Sequence, residues 1–378
     1  MDKAFSFGTT TFGVNFTDRE EDAKRLTSNF KNGVNTILVS PRRWGKSSLV
    51  QKVADDLNTK RSNIKVISMD AFMCRTEEDF YKMFAAEVIK QTSSRFEEWV
   101  RTSKQFLSRL SPKISFGVDP LNDFSLSLDI NSDIQSEQDI LDLPYKIANE
   151  KKLNIVICID EFQQVSEFQN SKSFQKKLRS IWQTHRNITY CLYGSKMHLL
   201  SVMFSKQSMP FYKFGELIFL QKISTENWIK YICSRFTDTG KYISAEIAGE
   251  ICTAVENHSS YVQQLSMLVW TKTKKNVRNE YLKESIEELI DQNGILFYRE
   301  TENLTRYQLN FLRALTSGIE SEFSRAEIIK KYDLGSSANI VRIKKSLEQK
   351  ELIDITGKKI IFLDPVFKLW LKREFKIL

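Results

Sequence analysis

The chain has 378 residues, of which 41% are hydrophobic, and it carries a formal net charge of +9 with a pI near 9.1. This length allows two or three domains with ordinary globular cores, which excludes disordered and fibrous classes. No segment approaches the roughly 18 apolar residues of a membrane span. The start of the chain lacks a basic region followed by an apolar stretch, so neither membrane insertion nor secretion is expected. The positive charge fits an acidic partner such as nucleic acid, and it fits a lysine-rich protein without such a partner equally well.

The cysteines indicate the redox environment. Five are present, they are widely spaced, and most lie inside apolar runs. This pattern is typical of reduced, buried thiols rather than of disulfides or a metal cluster, and it predicts a cytoplasmic protein. The residues concerned are Cys74, Cys158, Cys191, Cys233 and Cys252.

Residues 1–30 form a leader that ends in a predicted helix. Thr17 is the expected N-cap, acidic residues follow in the first turn, and Leu26 and Phe30 lie on the apolar face. The pattern leaves open whether this leader only packs on the core or also covers the adenine of a bound nucleotide.

The segment Thr36–Val50 has the order strand, polar turn, helix that a phosphate-binding loop requires. Backbone N–H groups of such a loop surround an anion, Lys46 adds a charge for the outer phosphates, and the Ser47 hydroxyl can ligate Mg²⁺. The sequence therefore predicts a nucleoside triphosphate site. Its residues are Ser40, Pro41, Arg42, Arg43, Trp44, Gly45, Lys46, Ser47 and Ser48.

The loop departs from the motif G-x-x-x-x-G-K-[ST] at its first glycine, which is Ser40 here. A positive φ at that position would strain the backbone unless the chain enters the loop differently. The alternative is a chance Gly-Lys-Ser in a basic protein, but the flanking strand and helix favour the phosphate-loop interpretation.

Several elements follow before the next informative strand. A strand is predicted over 64–70, with helices over 76–92 and 96–110. Two alternating runs with turn residues between them then predict a β-hairpin inserted in the core near 112–131. The hairpin carries no recognisable function, and a flap or packing element is the default interpretation.

A continuous apolar run over 153–159 predicts a central parallel strand, and it ends in two carboxylates. Behind a phosphate loop, Asp160 would hold Mg²⁺ through its water shell and Glu161 would orient or deprotonate the attacking water. A further strand over 188–195 ends at Ser195, which could sense the γ-phosphate. Tyr193 is a second candidate for this sensor, and an ordinary turn at Gly194 and Ser195 is the alternative without function.

The remainder of the chain is predominantly helical. Residues 1–222 are predicted as the core, 223–295 as a four-helix lid, and 296–378 as three helices and a hairpin, which describes a winged helix. Its third helix and wing could neutralise DNA phosphates, or they could form a solvated basic face. The candidate DNA-binding residues are Arg342, Lys344, Lys345, Lys358 and Lys359, with Lys350 beside them.

At this point the residues resemble a known family, the archaeal-type P-loop ATPases of the AAA+ and STAND branch. The likeness rests on 16–20 in the leader, 41–49 in the loop, 159–162, and 193–195, and it extends to the closing segment 364–371. It implies an α/β fold with an AAA+-like core built on a parallel sheet, a helical lid and a C-terminal winged helix.

The resemblance also implies roles for individual residues. Lys46 and Ser47 would contact phosphate and Mg²⁺, Asp160 and Glu161 metal and water, and Ser195 would be the first sensor. Arg19 would lie near the nucleotide or the loop, and the lid segment around His258 makes that histidine a candidate nucleotide sensor. Many family members also have an arginine where this chain has Phe214, and Lys213 could replace it only as a point charge. Either slow hydrolysis is expected, or a protein that works mainly by holding nucleotide.

Together these inferences predict an intracellular, Mg²⁺-dependent ATPase whose nucleotide state, ATP or ADP, sets the arrangement of core, lid and winged helix. Two alternatives remain open. One is a DNA-binding protein with a regulatory or inert ATPase core that binds duplex DNA through the winged helix. The other is a STAND-type signalling switch that assembles into a homo-oligomer on ATP and acts on a protein partner.

Overall fold

The computed structural model describes residues 4–8, 16–59, 63–93, 96–107, 113–116, 124–127 and 134–377. They form two compact units, one of Asp18–Gln221 and the other of Met1–Thr17 with Lys222–Leu378. This division differs from the predicted domains in two respects. Of the first 17 residues, the described ones (4–8, 16 and 17) group with the second unit, and the segments predicted as lid and winged helix lie in one unit.

The described residues of the unit Asp18–Gln221 form seven strands. They are β1 (Thr36–Val39), β2 (Ile64–Asp70), β3 (Lys113–Phe116), β4 (Phe124–Ser127), β5 (Asn154–Asp160), β6 (Ile188–Gly194) and β7 (Glu216–Phe219). Five of them form one parallel sheet in the order β2–β5–β6–β1–β7. The predicted parallel sheet is therefore confirmed, and β7 is a strand that the sequence analysis did not identify.

The helices of this unit cover the sheet. They are α1 (Glu20–Lys31), α2 (Lys46–Thr59), α3 (Glu77–Thr92), α4 (Phe96–Phe106), α5 (Ile134–Leu141), α6 (Leu143–Lys151), α7 (Ser171–Trp182) and α8 (Met197–Ser205). The predicted cap of α1 at Thr17 is wrong, because Arg19 occupies the N-cap position and makes no side-chain capping bond. The cap of α3 is a complete capping box between Thr76 and Asp79.

The apolar runs of the central strands are buried because helices cover both faces of a parallel sheet. Every residue of β1 and β6 is buried. On one face Trp182 stacks on Tyr190 with ring centroids 4.2 Å apart, and Phe211 and Phe214 complete this aromatic part of the core. The packing fixes the sheet, and the sheet in turn aligns the carboxyl ends of its strands.

The inserted hairpin is confirmed in its strands, which pair in antiparallel fashion from Lys113 opposite Ser127 to Phe116 opposite Phe124. The predicted turn over 119–123 and the end of the predicted hairpin over 128–131 lie outside the described residues.

The second unit is mainly helical. Its elements are α9 (Thr225–Asp238), α10 (Ala245–Ala254), α11 (Ser259–Lys272), α12 (Asn279–Glu302), α13 (Arg306–Thr316), α14 (Ala326–Tyr332), α15 (Ser337–Gln349), β8 (Ile353–Thr356), β9 (Lys359–Phe362) and α16 (Pro365–Glu374). Phe5 is buried in the same core, where its ring meets those of Tyr231 and Phe236. Helix α12 runs through the predicted boundary at 295, so the predicted lid and winged helix share this 24-residue helix.

In the described part of the chain no helix is both long enough and apolar enough to cross a membrane. All five cysteines are free thiols, of which Cys233 is half-buried and the other four are buried. Burial raises the pKa of Cys74 and of Cys252 to about 12, so these thiols stay protonated at neutral pH.

Candidate nucleotide-binding site

The loop between β1 and α2 lies at the carboxyl edge of the sheet, where ligands of open α/β folds bind. Its left-handed residues are Arg43 (φ 62°) and Gly45 (φ 93°), and among the described residues Ser40 does not have a positive φ. The strain expected at Ser40 is therefore absent. The chain makes its tight turn later in the loop, which is why a serine is accommodated where the motif has glycine.

Lys46 is buried, and its ammonium group is directed into the loop. Its Nζ donates to the backbone carbonyls of Ser40 and Pro41, both at 3.0 Å. A buried ammonium is stable only when oxygen atoms surround it. Phosphate oxygens would offer Nζ stronger, charge-assisted hydrogen bonds than these carbonyls do.

Ser47 and Asp160 meet at the point where a phosphate-site cation would sit. The Ser47 hydroxyl donates to Asp160 Oδ2 at 2.6 Å, across the gap between the start of α2 and the end of β5. Burial raises the pKa of Asp160 to about 6, against the opposing effects of the bonds from Ser47 and from the Glu161 N–H and of the nearby Lys46. The surroundings of Asp160 therefore disfavour the ionised form of its carboxyl group.

This donor set fits Mg²⁺. The cation prefers octahedral oxygen ligands and usually takes one or two protein groups, with waters and phosphates completing the shell. A hydroxyl and a carboxylate oxygen already in contact provide such a pair, and a cation would offset the cost of burying the Asp160 charge. Within the described residues no cluster of three or more His, Cys, Asp or Glu side chains offers an alternative, all-protein metal site.

Glu161 follows Asp160 and adopts a left-handed conformation, with φ 48°. Its Oε2 accepts two hydrogen bonds, one from Ser195 Oγ at 3.0 Å and one from Gln163 Nε2. Arg42 Nε in turn donates to Ser195 Oγ at 3.3 Å. The predicted base, the predicted sensor and the phosphate loop are thus joined by one set of hydrogen bonds.

Ser195 and Tyr193 were both candidates for the sensor at the end of β6. Tyr193 is buried within the strand, and burial raises its pKa. Ser195 contacts both Glu161 and Arg42. The contacts favour Ser195, whose role as a sensor remains a prediction.

Gln163 is a residue of this site that the sequence analysis missed. It is 2% exposed, and a Cβ on Gly194 would lie 1.9 Å from its Oε1, so its amide occupies the space that a side chain at 194 would need. The sequence signal was available, since Gln163 stands two residues after Glu161 and Gly194 stands directly before Ser195. A role for Gln163 or Gly194 cannot be inferred from sequence alone, because it depends on the packing of β5 against β6.

Arg19 lies against the loop, as the resemblance implied. It is 5% exposed, and its guanidinium donates to the backbone carbonyls of Trp44 at 3.1 Å and of Gln221 at 2.7 Å, and to Asp22. Burial lowers the pKa of Arg19, with Asp22 opposing that effect. Its contacts are to loop backbone, and a direct contact with nucleotide remains a prediction.

The position at which the family has an arginine is part of the core. Phe214 is buried against Trp182, Tyr190 and Phe211. The guanidinium of Arg179 on α7 lies 4.8 Å from the centroid of the Phe214 ring. Lys213, the other candidate substitute, has its ammonium near the ring of Tyr212.

Other predicted residues lie in the second unit. His258 is buried at the start of α11, with its ring 4.7 Å from that of Tyr261, and the two residues before it are left-handed. Its predicted sensing role is untested.

The five candidate DNA-binding residues lie on α15 and on the turn and strand after β8, and they differ in their surroundings. Arg342, Lys345 and Lys358 are exposed. Lys359 is exposed but lies 3.5 Å from Glu320. Lys344 is half-buried with its ammonium 5.5 Å from the Phe323 ring centroid, and burial lowers its pKa. The face therefore offers fewer unengaged cations than its sequence suggested.

Comparison with known proteins defines the class. Residues 44–175 match the KAP family P-loop domain, and residues 295–373 match a domain described as a probable winged helix domain. The chain thus contains a P-loop NTPase domain followed by a C-terminal winged helix domain, which confirms the predicted fold. No curated protein matches the chain.

Two solved structures are similar over nearly the whole chain. The Walker-type ATPase of Pyrococcus abyssi shares 16% identity at a TM-score of 0.70, covering 98% of this chain and 99% of that one. The ORC2 protein of Aeropyrum pernix, in its ADPNP–ADP complexes, shares 14% identity at a TM-score of 0.61, covering 99% and 98%. At these identities the likeness shows a shared fold.

Proposed function

We propose that this protein binds Mg²⁺-ATP and hydrolyses it. The observation that carries the proposal is the 2.6 Å hydrogen bond between Ser47 and Asp160, beside the buried Lys46 and directly before Glu161. Four groups of the types that phosphate transfer needs converge at one edge of the sheet. The ADPNP and ADP complexes of the Aeropyrum pernix ORC2 protein support adenine nucleotide as the ligand.

In this proposal each residue has a separate task. Lys46 would leave the carbonyls of Ser40 and Pro41 to bind the outer phosphates, and Ser47 and Asp160 would hold Mg²⁺. The cation, when bound, neutralises charge on the phosphate oxygens. Glu161 accepts a proton from the attacking water, and Ser195 would sense the γ-phosphate through its hydrogen bonds with Arg42 and Glu161. We expect slow turnover, because Phe214 replaces the arginine of the family.

The proposal extends to a conformational switch. Nucleotide contacts that differ between the ATP and ADP states would bias the arrangement of the core, the lid and the winged helix. The predicted cytoplasmic location is retained as part of the same proposal.

The test is phosphate release by the full chain with Mg²⁺-ATP, measured for the wild type and Glu161→Gln, with and without duplex DNA. We expect the variant to keep its affinity for ATP and to lose turnover by about 100-fold or more. Equal rates would remove Glu161 from its role. Negligible wild-type turnover with tight ATP binding would contradict hydrolysis and favour the STAND-type switch, whose sign is assembly that depends on ATP and on protein concentration.

A second candidate function is duplex DNA binding through the winged helix. The observation that favours it is the exposure of Arg342, Lys345 and Lys358 on α15 and the turn between β8 and β9. Affinity for duplex DNA that falls steeply with salt would support it, and an absent or salt-insensitive interaction would oppose it.

A further inference from the structure

We infer that Gln163 is a positioning residue for the proposed base Glu161, and that it acts together with Ser195 and requires glycine at 194. The inference rests on the proposed hydrolysis. It assigns to that reaction a side chain that neither the P-loop motif nor the strand ending in Asp160 and Glu161 identifies.

Two side chains hold the Glu161 carboxylate. Gln163 Nε2 and Ser195 Oγ both donate to the same oxygen, Oε2. Two donors from separate segments fix the plane of a carboxylate more strictly than one does. Within the described residues both recorded bonds end on Oε2, so Oε1 is the oxygen available to accept a proton from water.

Gln163 is held in place by its turn and by the packing around its side chain. It lies in the short 3-10 turn Phe162–Glu167, where Ser166 Oγ donates to its backbone carbonyl at 2.6 Å. Its side chain is 2% exposed, and its amide fills the space beside Gly194. The Gln163 side chain therefore has little freedom to release Glu161 without a change at β6.

The Gln163 amide carries an energetic cost. Gln163 Oε1 is buried and has no hydrogen-bond partner among the described residues. A buried polar atom without a partner destabilises a fold, so a glutamine chosen for stability alone would be better replaced by an apolar residue of similar size. The favourable contact that this side chain makes through its amide is the bond from Nε2 to Glu161.

The test compares Gln163→Leu with the matched control Gln164→Leu. Gln164 lies in the same turn, and its amide donates to Glu167 rather than to Glu161. For Gln163→Leu we expect kcat to fall by about 10- to 100-fold, with KM and the affinity for a fluorescent ATP analogue within about twofold of wild type. Thermal stability should be retained or raised, and the control should match the wild type in every respect.

A double-mutant cycle with Gly194 sharpens the test. Gly194→Ala places a methyl carbon 1.9 Å from Gln163 Oε1, so the amide must move and kcat should fall as in Gln163→Leu. In a Gln163→Ala background the collision is gone, and adding Gly194→Ala should cause little further loss. Ser195→Thr should keep most of the turnover that Ser195→Ala loses, because it retains the hydroxyl.

The outcomes separate this inference from the proposed function. A wild type that turns over and a Gln163→Leu variant with the same kcat would overturn the inference and leave hydrolysis intact. A fall in kcat matched by a fall in thermal stability or in ATP affinity would also overturn it, since it would indicate a structural role. A wild type that binds ATP without turnover would overturn both.

Discussion

The candidate phosphate site and the basic face of the winged helix are built differently. At the phosphate site Lys46 and Ser195 are buried, and each polar group contacts another, from Arg42 through Ser195 to Glu161. On the basic face Arg342, Lys345 and Lys358 are exposed, whereas Lys344 lies near the Phe323 ring and Lys359 near Glu320. Single changes should therefore have large effects at the first region and graded effects at the second.

The largest effect is expected for Lys46→Ala. The change removes a buried cation that donates to the loop carbonyls of Ser40 and Pro41, so the outer phosphates would lose a charge-assisted bond in a buried setting. We expect the affinity for ATP, measured by calorimetry, to fall by about 100-fold or more, which is roughly 3 kcal/mol. Unchanged affinity would mean that the site is elsewhere, and Lys52→Ala, on an exposed part of the same helix, is the control.

Asp160→Asn should stabilise the protein in the absence of nucleotide and Mg²⁺ at neutral pH. Because the folded-state pKa of Asp160 is about 6 and the reference value is 3.8, the folded protein binds the extra proton between these values. Wild-type stability therefore falls as pH rises through this window, by at most about 3 kcal/mol at 1.4 kcal/mol per pKa unit. The asparagine variant lacks this loss.

Urea unfolding of the two proteins at pH 4 and at pH 7.5 checks this expectation, with EDTA present. The advantage of Asp160→Asn should be near zero at pH 4 and greatest at pH 7.5. An advantage that does not change with pH would show that burial does not penalise the Asp160 charge.

A smaller effect is expected on the winged helix. Replacing Arg342 and Lys345 together by alanine should weaken binding of duplex DNA by about tenfold and reduce the slope of log K against log salt by about 2. The effect should be similar for unrelated duplex sequences, because phosphate contacts carry no sequence information. A DNA affinity and salt slope equal to those of the wild type would contradict a role for this face.

The smallest effect on DNA binding is expected for Lys344→Ala. Its ammonium lies near the Phe323 ring, so the change should lower thermal stability slightly and leave the salt slope within error of the wild type. Filter binding at several salt concentrations measures the effect on DNA binding, and a melting curve measures the effect on stability. A loss of DNA affinity as large as that of the double variant would show that Lys344 contributes to DNA binding as much as Arg342 and Lys345 do.

The sequence was sufficient for the features that depend on local pattern. β2 was predicted over its observed length, and β5 was recognised from an apolar run that ends at Asp160. The motif placed Lys46 and Ser47 at the start of α2. These features are readable because burial, periodicity and the phosphate-loop motif act on residues close in sequence.

The features that escaped prediction depend on contacts between distant segments. Gln163 reaches the site because β6 brings Gly194 and Ser195 beside it. The ammonium of Lys344 lies near the Phe323 ring because α15 packs near that residue. The positive φ expected at Ser40 occurs instead at Arg43 and Gly45, because the backbone conformation of each loop residue depends on the whole loop. Helix α12 continues past the predicted boundary at 295 although Asn293 and Gly294, residue types that often end a helix, stand just before it.

The length of α12 gives the second unit a mechanical property. Its 24 residues at about 1.5 Å each make a rod of about 36 Å that begins among the helices assigned to the lid and ends at the start of the winged helix. A tilt of about 5° at its first turn displaces its last turn by about 3 Å if the rod stays straight. In this geometry a small rotation at the first turn of α12 would move its last turn by a larger distance.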